Sequence, residues 1–182
     1  GHSDAKAAVT LSSLAEPLLN LKDKLPAGIV TANGNIDGSA RYDDLIAGAP
    51  DSSFPTADTA SNDPAFFVYT SGTTGRPKGI VHAHRWVIAL GDSNAYRLPP
   101  KQGDRAYATG EWSFISALGH NVMFPLRNGV TGVILRDRPS PENVLRTIQD
   151  HKVTLMYSVA TVYRRILAIS EVENEYDLSS LR

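Results

Sequence analysis

The stretch Ala65-Phe66-Phe67-Val68-Tyr69, followed at once by Thr70-Ser71-Gly72-Thr73-Thr74-Gly75-Arg76-Pro77-Lys78, decides how the rest of the chain is read. Five apolar residues rich in aromatic and β-branched side chains predict a strand. The loop that leaves it has the composition of a phosphate cradle. Gly72 and Gly75 let backbone N–H groups turn toward an anion, and Gly79 allows close backbone approach. Thr70, Ser71, Thr73 and Thr74 bring hydroxyl donors, Pro77 stiffens the turn, and Lys78 supplies a positive charge. A string of this pattern arises by chance roughly once in 10⁶ positions at average residue usage. The competing reading is a solvated turn in which the hydroxyls bond neighbouring backbone.

Two better-known phosphate motifs fail on spacing. The Walker pattern needs four residues between its first glycine and a Gly-Lys-Ser/Thr triplet, whereas Pro77 stands five positions after Gly72 and Lys78 is followed by Gly79. The Gly-x-Gly-x-x-Gly dinucleotide fingerprint is absent. A kinase, GTPase or nicotinamide enzyme therefore has no anchor here.

The chain has 182 residues, 18 basic and 19 acidic side chains and a formal net charge of −1. That length carries an ordinary domain with a substantial core. Balanced charge argues against a general nucleic-acid or membrane-surface binder, and no run of eighteen apolar residues reads as a membrane span. With no cysteine and no signal-peptide pattern, a disulfide framework is excluded and a cytoplasmic enzyme is the expectation. Residues 1–3 read as the remnant of a cut purification tag, and residues 4–182 as the domain proper.

Outward from the loop, apolar runs alternate with helical patterns. A strand near residues 7–10 and another at 28–31 flank a helix with Leu14, Leu18, Leu21 and Leu25 on one face. Ser13 and Glu16 have capping-box spacing, while Pro17 makes the start of that helix uncertain. A short helix at 42–47 leads into a Pro/Ser/Thr/Asp-rich surface connection at 48–64, which also reads as a domain linker. After the loop come a helix at 85–96, strands at 105–109, 130–135 and 153–157, and crossover helices at 116–128, 141–151 and 161–170. This order predicts an α/β fold, a mainly parallel sheet with helices on both faces. Ligands in such folds collect at strand ends.

Continued as Gly79-Ile80-Val81-His82-Ala83-His84-Arg85, the loop resembles the signature of the adenylate-forming enzymes, which include acyl-CoA synthetases, peptide-synthetase adenylation domains and luciferases. Phe124-Pro125-Leu126-Arg127-Asn128-Gly129, Arg138-Pro139-Ser140-Pro141 and Val159-Ala160-Thr161-Val162-Tyr163-Arg164 are similar to segments of carboxylate CoA ligases. The Arg-Pro-Ser-Pro stretch and the spacing of Tyr157, Ala160, Thr161 and Tyr163 are most similar to the benzoate-CoA ligase type. The resemblance runs from about Asp4 to Arg182 and implies part of a large N-terminal AMP-binding domain.

That resemblance implies roles for particular residues. Lys78 is the expected catalytic residue, a charge partner for ATP phosphate oxygens and departing pyrophosphate, with Thr70, Ser71, Gly72, Thr73, Thr74, Gly75 and Gly79 completing the nucleotide-binding loop. The segment Glu111 to His120 is similar to one wall of the acyl pocket, which marks Ile115, Ser116, Ala117 and His120. Plain core packing is the competing reading for the first three, and His120 faces either pocket or core. Thr161 stands where many relatives carry Pro-Thr, here preceded by Ala160; an N-cap for a helix starting near Val162 is the alternative. His82 and His84 lack a third ligand at metal spacing, so no metal site is expected and a helix-start or packing role is preferred.

The implied parent is an ATP-dependent acid-thiol ligase that joins a carboxylic acid, aromatic or cyclic at first guess, to AMP with release of pyrophosphate and then to CoA. ATP, Mg²⁺ and CoA are its implied co-substrates, with a small carboxylic acid as partner. The family's Tyr-Gly-x-Thr-Glu segment, ribose-binding aspartate and C-terminal lysine are not among these residues. The chain alone is therefore expected to be inactive. A free-standing, non-catalytic module that binds phosphate or a protein is the alternative.

Overall fold

A computed structural model describes residues 3–71, 75–137 and 139–182, with the backbone alone at Glu173. The chain forms two compact units, residues 1–58 and 59–182, and their boundary falls inside the irregular, exposed connection expected at 48–64.

In the first unit β1 (Ala8–Leu11), β2 (Ile29–Ala32) and β3 (Ala40–Arg41) form a parallel sheet in that order. Ile29 and Thr31 are buried on β2, and the Thr31 and Ser39 hydroxyls lie 2.9 Å apart. The helix expected to carry four leucines is instead a 3₁₀ turn (Ser12–Leu14), a four-residue α1 (Glu16–Leu19) and a second 3₁₀ turn (Lys22–Lys24). Pro17 explains the break. It has no N–H to donate and is tolerated only in a first turn, which is where α1 holds it. The capping box does not form, since Ala15 is the N-cap and no side chain bonds the helix start. Helix α2 (Tyr42–Ala47) closes the unit.

The second unit begins with an antiparallel pair, β4 (Pro64–Thr70) and β5 (Lys78–Ala83). The sequence reading placed the β4 strand but not its return, because it treated residues 78–83 as loop. Helix α3 (Arg85–Arg97) follows, anchored to the hairpin where Trp86 and the stacked rings of Phe66 and His82 meet edge to face. His82 is thus a packing residue, and His84 is the residue from which α3 starts.

A second parallel sheet has β6 (Arg105–Ala108) at its centre, between β7 (Thr131–Val133) and β8 (Leu155–Tyr157). Period-two alternation sends neighbouring side chains to opposite faces. Ala106 and its partner Leu155 pack with Phe124, Ala95 and Leu98; Tyr107 and its partner Val133 pack with Val144, Ile148, Val162 and Ile166. Helices α3 and α5 (Phe124–Asn128) therefore cover one face, and α6 (Pro141–His151) and α7 (Ala160–Leu167) the other. The expected fold class holds. Ser140 caps α6 by accepting from the Asn143 N–H at 3.2 Å, and Pro141 sits in its first turn, where a missing N–H is harmless.

The helical run expected at 116–128 is continuous but mixed: α4 (Ile115–Leu118), a π-helical turn (Gly119–Met123), then α5. A last short helix, α8, spans Val172–Glu175. Arg182 pairs with buried Asp104 at 2.6 Å and bonds the Pro99 carbonyl at 2.9 Å, fastening the end of the chain under the sheet. Among the described residues no helix is long and apolar enough to cross a membrane.

Candidate functional site

Residues expected to act together fall in two places within the second unit. Thr70 and Lys78 stand opposite each other as the last pair of the β4–β5 register. Both are exposed, and the ion pairs among the described residues do not include Lys78. Gly75 has φ of +84°, a conformation that glycine adopts without strain. Gly79 has a local reason to be glycine: an added Cβ would lie 3.1 Å from the Tyr69 ring across the hairpin. Gly72, Thr73 and Thr74 lie outside the described residues.

The second place is a cavity of about 560 Å³ at the C-terminal ends of β6 and β8. Ser116, Ala117 and His120 line it, with Thr109, Gly110, Glu111 and Phe114 from the β6 side and Met156, Tyr157, Ser158, Val159 and Tyr163 from the β8 side. Ile115, grouped with them from sequence, is not part of this wall. Ala117 is both core and lining, since it is 1% exposed. The Thr109 and Ser158 hydroxyls meet at 2.5 Å and tie the two strand ends together.

His120 faces the cavity from the π-helical turn. Its Nδ1 is 2.6 Å from the Ser116 carbonyl and its Nε2 is 3.1 Å from Asn94 Oδ1, and its ring stacks on Tyr157 at 4.0 Å. Burial lowers the imidazole pKa and outweighs the carbonyl contact, which favours the charged form. Burial also raises the phenol pKa of Tyr157 and Tyr163.

Thr161 does not cap α7. The helix starts two residues earlier than expected, at Ala160 with Val159 as N-cap, and no side-chain cap bond is made there. The residues that sequence reasoning missed are those of the β8 end, Tyr157 to Val159. The signal was available, because the C-terminal edge of a parallel sheet is where ligands collect.

A smaller cavity of about 400 Å³ opens between the ends of β6 and β7, lined by Tyr107, Asn121, Ile134, Arg136 and Asp137 among others, and it shares Thr109, Gly110 and Glu111 with the first. Burial pushes the Tyr107 phenol up to about 12.

The chain is similar to known proteins over most of its length. The 3-hydroxybenzoate-CoA ligase of Aromatoleum sp. (strain CIB) is 38% identical over 125 residues, which is 69% of this chain and 24% of that protein. The benzoate-CoA ligase of Thauera aromatica is 32% identical over 179 residues, 97% of this chain and 33% of that protein. The crystal structure of the anthranilate CoA ligase AuaEII in complex with anthranoyl-AMP superposes with a TM-score of 0.87 at 29% identity, over 98% of this chain and 35% of that one. The chain thus spans about a quarter to a third of these relatives. The profile of the family described as AMP-binding enzyme matches residues 1–182. With its hairpin loop and its α/β sheet of the adenylate-forming N-terminal type, the chain belongs to the AMP-binding enzyme family.

Proposed function

We propose that this chain supplies the phosphate loop and part of the acid pocket of an ATP-dependent acid-CoA ligase, and that the acid is aromatic or cyclic. The observation that carries this reading is the cavity at the β6 and β8 ends. Its volume suits a small organic acid, its walls include Phe114, Ala117, Met156, Tyr157 and Val162, and a few polar groups converge on it.

In this reading ATP, a substrate, supplies the adenylyl group: a carboxylate oxygen attacks the α-phosphorus, pyrophosphate leaves, and a CoA thiolate then displaces AMP. Lys78 places its ammonium against phosphate oxygens and offsets charge as pyrophosphate departs. Thr70, Ser71, Thr73 and Thr74 donate hydroxyl hydrogens to the same oxygens, while Gly72, Gly75 and Gly79 keep the backbone low enough for its N–H groups to take part. These contributions are positioning and charge stabilisation. Ser116, Ala117 and His120 hold the acid in place. No group of three His, Cys, Asp or Glu is gathered among the described residues, so Mg²⁺ is assigned no site on them. A cytoplasmic setting, where ATP and CoA are at hand, belongs to the same reading.

The test is pyrophosphate–ATP exchange by the complete ligase across benzoate, hydroxybenzoates, cyclohexanecarboxylate and acetate. Exchange that depends on a ring-bearing acid supports the proposal; exchange with acetate alone removes the aromatic part, and exchange with no acid removes the ligase reading. The 182-residue chain by itself is expected to form no acyl-CoA.

A further inference from the structure

Successive residues of a parallel strand turn their N–H and C=O groups to alternate neighbours. In β6 the Arg105 carbonyl accepts from Thr154 and the Thr109 N–H donates to the Tyr157 carbonyl, so the odd residues face β8. The Asp104 carbonyl accepts from Thr131, so the even ones face β7. The β6–β7 register ends at Tyr107 opposite Val133. At Ala108 the N–H therefore faces the carbonyl of Val133, the last β7 residue, while the C=O points past the end of β7.

Asn121 takes both. The Ala108 N–H donates to its Oδ1 at 2.6 Å, and its Nδ2 donates to the Ala108 carbonyl at 2.9 Å. The residue is 4% exposed. Its reach depends on the π-helical turn lying directly on β7, which Gly132 permits: any Cβ there would collide with the Asn121 carbonyl oxygen.

We propose that Asn121 is a positioning residue whose amide bonds both Ala108 peptide groups where β7 ends and so fixes the Thr109-Gly110-Glu111 turn that walls both cavities. Only a side chain that donates and accepts at once satisfies the Ala108 peptide groups. The inference about the strand end stands on its own geometry. Its effect on acid binding rests on the proposed ligase reading.

The test compares the 182-residue chain with N121D and N121L by ¹H–¹⁵N spectra and benzoate titration. An ionised Asp accepts only and sets an anionic oxygen against the Ala108 carbonyl, whereas a protonated Asp restores one donor and one acceptor. Burial raises the pKa of the introduced carboxyl, so the protonated form prevails at about pH 5 and the ionised form at about pH 8. At the higher pH the N121D amides of Ala108 to Glu111 should be displaced and benzoate binding weakened about tenfold, the cost of one lost buried bond. At the lower pH both should return to wild-type behaviour, including by refolding if the variant is unfolded at pH about 8. N121L, of similar volume, should be displaced at both.

Equal behaviour of N121D and N121L at the two pH values, or unperturbed Ala108 to Glu111 amides in N121L, would overturn the proposal. Where the wild-type chain, which carries only part of the acid pocket, gives no benzoate response, the amide positions alone decide the role of Asn121, and the acid reading is decided by pyrophosphate exchange in the complete ligase.

Discussion

Thr70 and Lys78 are cross-strand partners, eight residues apart in sequence and directly opposed at the last rung of β4 and β5. The Lys78 ammonium is thus presented from the first residue of a strand. Replacing Lys78 with Ala in the complete ligase should slow adenylation by about 10- to 150-fold, the equivalent of one charge-assisted contact of about 1.5–3 kcal/mol. Thioester formation from a supplied acyl-adenylate should fall much less. Pyrophosphate exchange and single-turnover thioesterification, measured side by side, check this; equal loss in the two steps contradicts the assigned role.

His120 should titrate below its ordinary value of 6.5, because burial disfavours the imidazolium. The sign follows from the depressed value: the contribution to stability is present above the ordinary pKa and is lost as pH falls through the lowered one. Substituting Asn94 with Asp puts an anionic oxygen beside Nε2 and should raise the His120 pKa above that of the wild type. Histidine Cε1–H shifts followed by NMR across the acid range report both values, and an unchanged midpoint in N94D would show that the Asn94 contact at 3.1 Å is not maintained in solution.

Asp104 is buried between the Arg182 guanidinium, the Lys101 N–H and the Thr154 hydroxyl, and the Arg182 hydrogen bond leads in holding its pKa down at about 2. The stabilisation is complete above the ordinary carboxylate value of 3.8 and is lost as pH falls toward 2. D104N should lower the melting temperature by about 5–10 °C at neutral pH, since it leaves Arg182 without its charge partner. Thermal melts at neutral pH and at about pH 2.5 should show the gap between wild type and variant closing in acid.

Gly132 to Ala should destabilise the second unit by about 1–3 kcal/mol, because the new methyl meets backbone and no side chain can swing away. Gly91 to Ala meets Arg127 Cγ at 2.5 Å and Cβ at 2.6 Å, atoms next to the α5 backbone that cannot swing away, and should destabilise by a similar amount. Urea unfolding of both variants checks this, and a loss well under about 1 kcal/mol for Gly132 would mean that the π-helical turn shifts readily.

The sequence carried the fold class, the β6, β7 and β8 strands and their crossover helices, because hydrophobic runs of the right length alternate with amphipathic patterns and a Ser-Pro start. It also pointed to Ser116, Ala117 and His120, which the structure gathers in one cavity. The β5 strand stayed hidden since its residues, Lys78 to Ala83, follow a loop motif and lack strict alternation. The broken helix after β1 was legible only as a doubt at Pro17. Asn121 left no trace at all: its role comes from where β7 stops, and no local pattern reports where a neighbouring strand ends. The π-helical turn is equally silent, being a matter of packing over Gly132.

Among the described residues β4 and β5 form a two-stranded sheet, so each strand has one side with no neighbouring strand, and Phe67, Ile80 and Val81 on them are each more than 40% exposed. Such an edge is a template for strand addition between molecules. The hairpin that presents Lys78 is therefore also a segment through which the 182-residue polypeptide can self-associate.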